Sequence, residues 1–179
     1  MIDEKPIKFS YYYKFNKEGI YTITYIFKKN IEKIDYMFCN CTSLKEIDFT
    51  NFYSNQVINI SCIFLKCASF SYINLSKFKT YNIKDMSGMV CKCTSLQELD
   101  LSNFITDETT NMSAMFGQCK SLRKINLSNF NFDKVTDMSC MFYECSSLIE
   151  IKISNFNFKK PDISDIFYGC DNLSKIIKN

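Results

Sequence analysis

The stretch Leu96-Gln97-Glu98-Leu99-Asp100-Leu101-Ser102-Asn103-Phe104 decides the fold, because the chain repeats it at a step of 26 residues. Its apolar residues fall where a short strand and the turn after it would be buried, and polar Asp100 and Ser102 alternate outward with a period of two. Copies begin at Leu44, Phe70, Leu122 and Leu148, and a shortened sixth copy begins at Leu173, 25 residues after its predecessor. Self-similarity of this kind predicts a repeat architecture.

A second block with helical spacing lies between these copies. In Asp137-Met138-Ser139-Cys140-Met141-Phe142-Tyr143-Glu144-Cys145 the apolar side chains recur at i, i+3, i+4 and i+7, counted from Met138. This spacing places them on one face of a helix, and Thr136 or Asp137 can cap its first turn. Related blocks occupy 34–38, 60–64, 85–90, 111–116 and 163–167. The sequence therefore predicts one short helix in each repeat.

Neither the strand nor the helix of a single repeat can bury its apolar face alone, so the repeats must stack. Stacking gives an α/β repeat fold with parallel strands on one face, short helices on the other and a shared core between them. The stack is predicted to span residues 31–179, as about five and a half repeats.

The two ends of the chain depart from this pattern. Residues 1–30 are predicted to form an N-terminal β-hairpin cap, because Ile7 to Phe15 and Ile20 to Lys28 are rich in Tyr, Ile, Thr and Phe and a polar segment separates them. Covering the core of the first repeat is the role that we favour, with direct ligand binding as the alternative. At the other end the strand Lys175-Ile176-Ile177 has no comparable cap, so this repeat can make an end-to-end contact.

The repeated motif also resembles a known family. Residues 93–116 and 119–142 follow the order Cys-x-Ser-Leu-x-x-Leu-Asp-Leu-Ser-Asn-Phe and, after a variable loop, Val-Thr-Asn-Met-Ser-x-Met-Phe. This pattern resembles the BspA-like leucine-rich repeat, a 26-residue surface-protein repeat also known as DUF285, and the likeness covers about 31–179. The resemblance implies a right-handed solenoid of the leucine-rich-repeat type that is used for binding. Members occur in bacterial, mycoplasmal and protozoan surface proteins, often linked with adhesion, and the family has no catalytic residues to carry over.

The cysteines follow the repeat as well. Of the ten cysteines, six occupy one equivalent position: Cys41, Cys67, Cys93, Cys119, Cys145 and Cys170. We expect them to form a ladder inside the stack, about 5 Å apart, as small buried apolar groups. Parallel side-chain directions do not suit disulfides, and the lack of His and of Cys-x-x-Cys pairs argues against a zinc site. A core rich in thiols suits a reducing compartment.

Composition limits the location and the class of partner. The net charge of +3 is nearly neutral and the basic residues are spread along the chain, so no nucleic-acid partner is expected. No secretory signal and no apolar run long enough for a membrane helix is found. These features predict a cytoplasmic protein, whereas the resemblance favours the cell surface. Asn-x-Ser/Thr sequons recur with the repeat, at Asn40, Asn59, Asn74, Asn111, Asn126 and Asn172, and secretion through a eukaryotic pathway would expose them to glycosylation.

Catalytic chemistry finds no support in the sequence. The absence of His excludes His-based triads and the commonest general base. The four glycines are isolated, so there is no phosphate-binding loop. We therefore predict that the protein is not an enzyme and that it has no cofactor and no metal site.

Binding is expected on the strand side, where the outward positions are acidic in the early repeats and basic in the later ones. Departures from the repeat mark specificity, and aromatic residues dominate interface energies. The candidate partner-binding residues are Tyr53, Tyr72, Tyr81, Arg123, Lys124, Phe132, Lys152 and Phe158. The alternative for Phe132 and Phe158 is that they extend the core at one edge of the stack.

The favoured function is a non-catalytic protein–protein interaction scaffold, such as a structural subunit of a larger intracellular assembly. Two alternatives are a cell-surface adhesin that binds host or extracellular proteins, and an adaptor that recruits clients to an enzyme.

Overall fold

The computed structural model describes residues 1–3, 5, 17–27, 31–49, 51–52, 54–154 and 161–178. The chain divides into two compact units, Met1–Asn30 and Ile31–Asn179. Over the described residues the regular elements are three short strands in the second unit: β1 (Lys124–Leu127), β2 (Glu150–Ile153) and β3 (Lys175–Lys178). The structure describes no helix long and apolar enough to cross a membrane.

The three strands form a parallel sheet in the order β1-β2-β3. Their register pairs each residue with its equivalent in the next repeat, so that Ile125 lies beside Ile151 and Ile151 beside Ile176. Ile125 and Leu127 of β1 are buried while Lys124 points outward, which is the alternation expected of a strand with one face on the core. The parallel strands predicted on one face are thus present in the last three repeats.

A second parallel ladder runs along the stack on single residue pairs. It joins Lys33, Asn59, Asp85, Asn111, Asp137 and Asp162, each to the next. Since these residues are equivalent positions of the repeat, each repeat lies in register on the one before it. The two ladders fix the backbone that carries the outward side chains.

The predicted α/β fold, with a strand and a short helix in each repeat, is wrong. The described residues contain no helix, and their strands are confined to the last three repeats. The block Asp137–Cys145 forms consecutive tight turns instead. Within it the amides of Met141, Tyr143 and Cys145 bond to carbonyls three residues earlier, at 2.9–3.1 Å.

Contacts between repeats account for this difference. The alternate amides in the same block, those of Met138, Cys140 and Phe142, donate to carbonyls of the following repeat at 2.8–3.0 Å. A helix over this block would bond the amides after its first turn, that of Phe142 among them, to carbonyls four residues earlier. Those amides could then not donate to the next repeat. The turns satisfy both sets at once, as buried backbone groups require.

The turns need a left-handed backbone at two positions in each repeat. One column, with φ of 50–58°, consists of Tyr36, Cys62, Gly88, Ala114, Cys140 and Asp165. The other, with φ of 53–71°, consists of Asn40, Lys66, Lys92, Gln118, Glu144 and Gly169. Such conformations interrupt a right-handed helix, and for residues other than glycine each costs about 1–2 kcal/mol.

The core lies between the turns and the strand segments, by which we mean β1–β3 and the equivalent residues of the first three repeats. The apolar side chains of both repeated blocks are buried, with Met138, Met141, Phe142 and Leu127 each at most 2 % exposed. Two asparagine side chains, Asn103 and Asn129, bind neighbouring repeats together. The Asn129 amide group donates to the carbonyl of Leu101 at 3.1 Å and to that of Phe104 at 2.8 Å.

The first unit is tied together at its own beginning. Ile2 makes an antiparallel bridge with Ile23, and the amide of Thr22 donates to Asp3 Oδ1 at 2.9 Å. The predicted hairpin strand Ile7–Phe15 lies outside the described residues. The predicted second strand, from Ile20, forms no strand over its described part and pairs only through the bridge at Ile23. Its role as a cap stays a prediction.

Candidate protein-binding face

The exposed residues of the strand segments form one surface, which we call the outward face. It comprises the exposed positions of 45–48, 71–74, 97–100, 123–126, 149–152 and 174–175, together with half-buried Glu150. The burial pattern places their neighbours inward: in the second repeat Tyr72 and Asn74 are exposed while Ile73 and Leu75 are buried. Every repeat thus presents its polar strand residues on the same side.

Tyr72 is the large aromatic side chain of this face. It is 57 % exposed, and the equivalent positions of the neighbouring repeats are the exposed carboxylates Glu46 and Glu98. An aromatic ring that is this accessible between charged groups can serve as an anchor for a partner.

A shallow open groove of about 270 Å³ crosses the outward face between the third and fifth repeats. Its charged lining is Glu98 and Asp100 of the third repeat, Lys124 of the fourth, and Glu150 and Lys152 of the fifth. Buried parts of the strands, with Leu99 and Ile125, also line it. The groove therefore marks the place where the sign of the charge changes along the face.

Hydrogen bonds hold Asp100 and Glu150 of the groove in their charged form. The Ser102 amide donates to Asp100 Oδ1 at 2.9 Å, and this bond lowers the pKa of Asp100. The Lys175 ammonium lies 3.3 Å from Glu150 Oε2. Its hydrogen bond is the main cause that lowers the pKa of Glu150, with Lys124 and Lys152 contributing through their charges.

The structure brings only some of the predicted site residues together. Tyr72, Arg123, Lys124 and Lys152 lie exposed on the outward face. Tyr81 is 39 % exposed, but it lies in a turn outside that face.

The structure places Phe132 in the core, where its side chain is only 6 % exposed and its ring lies 6.1 Å from that of Phe130. The alternative, that it extends the core, is the one the structure favours. Tyr53 and Phe158 lie outside the described residues.

The cysteine ladder is present, with one exception and one unexpected feature. Five of its members are buried, whereas Cys41 in the first repeat is exposed. Each buried thiol donates to a carbonyl of the preceding repeat, as Cys119 Sγ does to Val90 at 3.1 Å and Cys145 Sγ to Phe116 at 3.0 Å. The same contact recurs at Cys67, Cys93 and Cys170, at 2.9–3.1 Å.

Burial makes these thiols poor nucleophiles. It raises the pKa of Cys67 and of Cys145 to about 12, and that of Cys119 well above its ordinary value. The thiolate is the reactive form, so these groups stay protonated near neutral pH. Among the described residues, no three His, Cys, Asp or Glu side chains gather as ligands of a metal ion would.

The last described repeat leaves part of its core accessible. Ile176 of β3 is 40 % exposed, whereas its equivalents Ile125 and Ile151 are 3 % and 1 % exposed. Tyr168 is 60 % exposed and stacks on Tyr143 of the preceding repeat, with 5.2 Å between the ring centroids. The end-to-end contact expected here stays a prediction.

Comparison with known families assigns the repeat. A family model described as "Mycoplasma protein of unknown function, DUF285" matches residues 8–100 and 63–179, which together cover most of the chain. The chain belongs to the DUF285 family. This confirms the resemblance seen in the repeated motif. No curated protein and no solved structure matches the chain.

Two features of the DUF285 stack were not found from the sequence. The groove depends on the register of neighbouring repeats, which places Glu98 and Asp100 beside Lys124 and Lys152. The thiol hydrogen bonds depend on carbonyls 28 or 29 residues away. The repeat spacing could have suggested the first, since equivalent residues stack; nothing in the sequence signals the second.

Proposed function

We propose that this chain is a non-catalytic protein-interaction scaffold that binds its partner through the outward face. The observation that carries the proposal is the groove at the change of charge, with exposed Tyr72 one repeat away from it. Aromatic anchors supply much of the energy of protein interfaces, and charge complementarity supplies orientation and specificity. The outward face offers both on one surface.

In the last three repeats the backbone of this face is held before any partner arrives. Lys124, Glu150 and Lys175 are equivalent residues of three paired strands, so their spacing is fixed by the sheet. A surface that is already ordered loses less conformational entropy on binding. Preorganisation of this kind favours recognition of a folded partner over wrapping of a flexible one.

The chemistry of the described residues supports a non-catalytic role. The buried thiols of Cys119 and Cys145 are protonated and hydrogen-bonded within the stack. All ten cysteines are free in the structure, which supports our proposal of a reducing compartment such as the cytoplasm. A structural subunit of a larger assembly fits these properties.

The proposal is tested by identifying the partner and then measuring its affinity with purified proteins. The wild type is isolated from its native cell beside Tyr72→Ala/Arg123→Ala and a control, Lys79→Ala/Lys84→Ala, whose residues are exposed away from the outward face. A partner recovered in stoichiometric amount is then purified and titrated by calorimetry. We expect the face variant to bind at least about 10-fold more weakly and the control to bind as the wild type does. Equal affinity of all three proteins would exclude the outward face as the binding surface.

A further inference from the structure

The outward face carries equal and opposite charges on its two halves. In the first three repeats it has one lysine and four carboxylates, a net charge of −3: Lys45, Glu46, Asp48, Glu98 and Asp100. In the last three repeats it has four cations and one carboxylate, a net charge of +3: Arg123, Lys124, Lys152, Lys175 and Glu150. All are exposed except Glu150, which is half-buried. The face as a whole is neutral but strongly polarised along the stack.

The net charge changes sign between the third and fourth repeats, where the groove begins. The order of charges matters because a second surface fits this one only if its own charges run the other way. A uniformly acidic or basic partner would match one half and be repelled by the other. A reversed copy of the same face matches both halves.

We propose that the outward face binds a second copy of this chain, with the two faces opposed and the two stacks antiparallel. The inference rests on the proposed function, because it names the protein partner of that same face. A two-fold axis parallel to the strands, between the third and fourth repeats, places the third repeat (−2) opposite the fourth (+2) and the first (−1) opposite the sixth (+1). The second and fifth repeats, which oppose each other, are each neutral on this face. Glu98 then lies opposite Lys124 of the second copy, and the repeat of Tyr72 lies opposite the repeat of Lys152.

This arrangement closes on itself. A two-fold contact uses the same patch on both molecules, so it ends at a dimer and does not extend into a filament. With the stacks parallel, the −3 halves would meet each other and so would the +3 halves, which like-charge repulsion disfavours. The contact therefore specifies both its stoichiometry and its orientation.

The experiment is a charge-swap test by sedimentation velocity on the full chain. Glu46→Lys/Glu98→Lys changes the charge of the first half from −3 to +1, and Arg123→Glu/Lys152→Glu changes that of the second half from +3 to −1. Lys79→Glu/Lys84→Glu is the matched control: it makes the same change in total charge as the second variant, on exposed residues away from the face. Thermal melts verify that each variant is folded.

We expect the wild type and the control to form a dimer at about 0.02 M salt that dissociates at about 0.5 M. Each face variant alone is expected to dimerise at least about 10-fold more weakly, because its halves now carry the same sign. Mixing the two face variants in equal amounts should restore a dimer, since one face is then positive throughout and the other negative.

A wild type that stays monomeric at low salt would overturn the inference. So would a dimer that survives both salt and charge reversal, or a mixture of the two variants that stays monomeric. The two proposals can fail independently. If the wild type is monomeric but still binds a different protein through Tyr72, self-association is refuted and the proposed function stands. If the wild type forms a charge-dependent dimer and binds no other protein, self-association is confirmed and the scaffold joins only copies of this chain.

Discussion

Replacing Leu127 with alanine is expected to lower the free energy of unfolding by about 3–5 kcal/mol. Leu127 is 0 % exposed in β1, between Ile153 of the next repeat and its equivalent Leu101 in the preceding one, both buried. Parallel backbone pairing holds β1 and β2 in place, so the cavity left by the missing atoms cannot collapse. This places the cost in the upper part of the range for buried leucines.

The assay is urea unfolding at neutral pH, supported by thermal melts in which this loss corresponds to a decrease of about 10 °C. Tyr72→Ala is the matched control, because Tyr72 is 57 % exposed on the opposite side of the strand segment. Its unfolding free energy should change by less than about 0.5 kcal/mol. If both variants were destabilised equally, the assignment of inward and outward faces would be refuted.

Three further predictions concern the turns and the thiols. Gly88→Ala should lower the free energy of unfolding by about 1–2 kcal/mol, because the backbone of Gly88 has a φ of +58° and the new Cβ would lie 2.9 Å from Cys62 Sγ. Ala114→Gly, at the equivalent position, should raise the free energy of unfolding in the same urea assay. The far-ultraviolet circular dichroism spectrum should lack the double minimum of helices, and a helical spectrum would contradict the turns. Stability should fall as pH rises from about 9 to about 12, because folding raises the pKa of Cys145 to about 12 and the unfolded chain loses that proton first. Urea unfolding across this range should show a weaker dependence in Cys145→Ala, and an unchanged slope would contradict the linkage.

The inward and outward positions were predictable from the sequence because burial follows the repeat. The spacing of Met138, Met141, Phe142 and Cys145 marks them as one apolar face, and all four are buried. Three consecutive tight turns direct the same positions inward as about two turns of helix would. Apolar spacing alone could therefore not distinguish the two, and the prediction of helices failed on the type of element.

The backbone hydrogen bonds that decide the element connect residues of different repeats. Cys140 N bonds to the carbonyl of Ser164, a contact that no local pattern encodes. Ser139, two residues after Asp137, does give a local signal, since its amide donates to Asp137 Oδ1 at 2.9 Å. The same signal caps a helix or closes a turn. Gly88 and Gly169 lie at left-handed positions, and glycine there favours a turn. Lys92 and Glu144 have the same backbone conformation, but their residue type gives no sign of it in the sequence.

The candidate site was predictable where side-chain direction follows the period of two. Tyr72, Lys124 and Lys152 were assigned to the outward face for this reason. Phe132 lies in the loop that follows, where no period applies, and its burial depends on contacts with Phe130 and the rest of the core.

Hydroxyl-radical footprinting of the protein alone and bound to its partner tests the account most directly. Three tyrosines are almost equally exposed, Tyr36 at 56 %, Tyr72 at 57 % and Tyr168 at 60 %, but only Tyr72 lies on the outward face. Their similar exposure makes their oxidation rates comparable in the free protein. The account predicts that binding protects Tyr72 and leaves Tyr36 and Tyr168 unchanged. Protection of Tyr36 or Tyr168 with no change at Tyr72 would place the binding surface on the turns and contradict it.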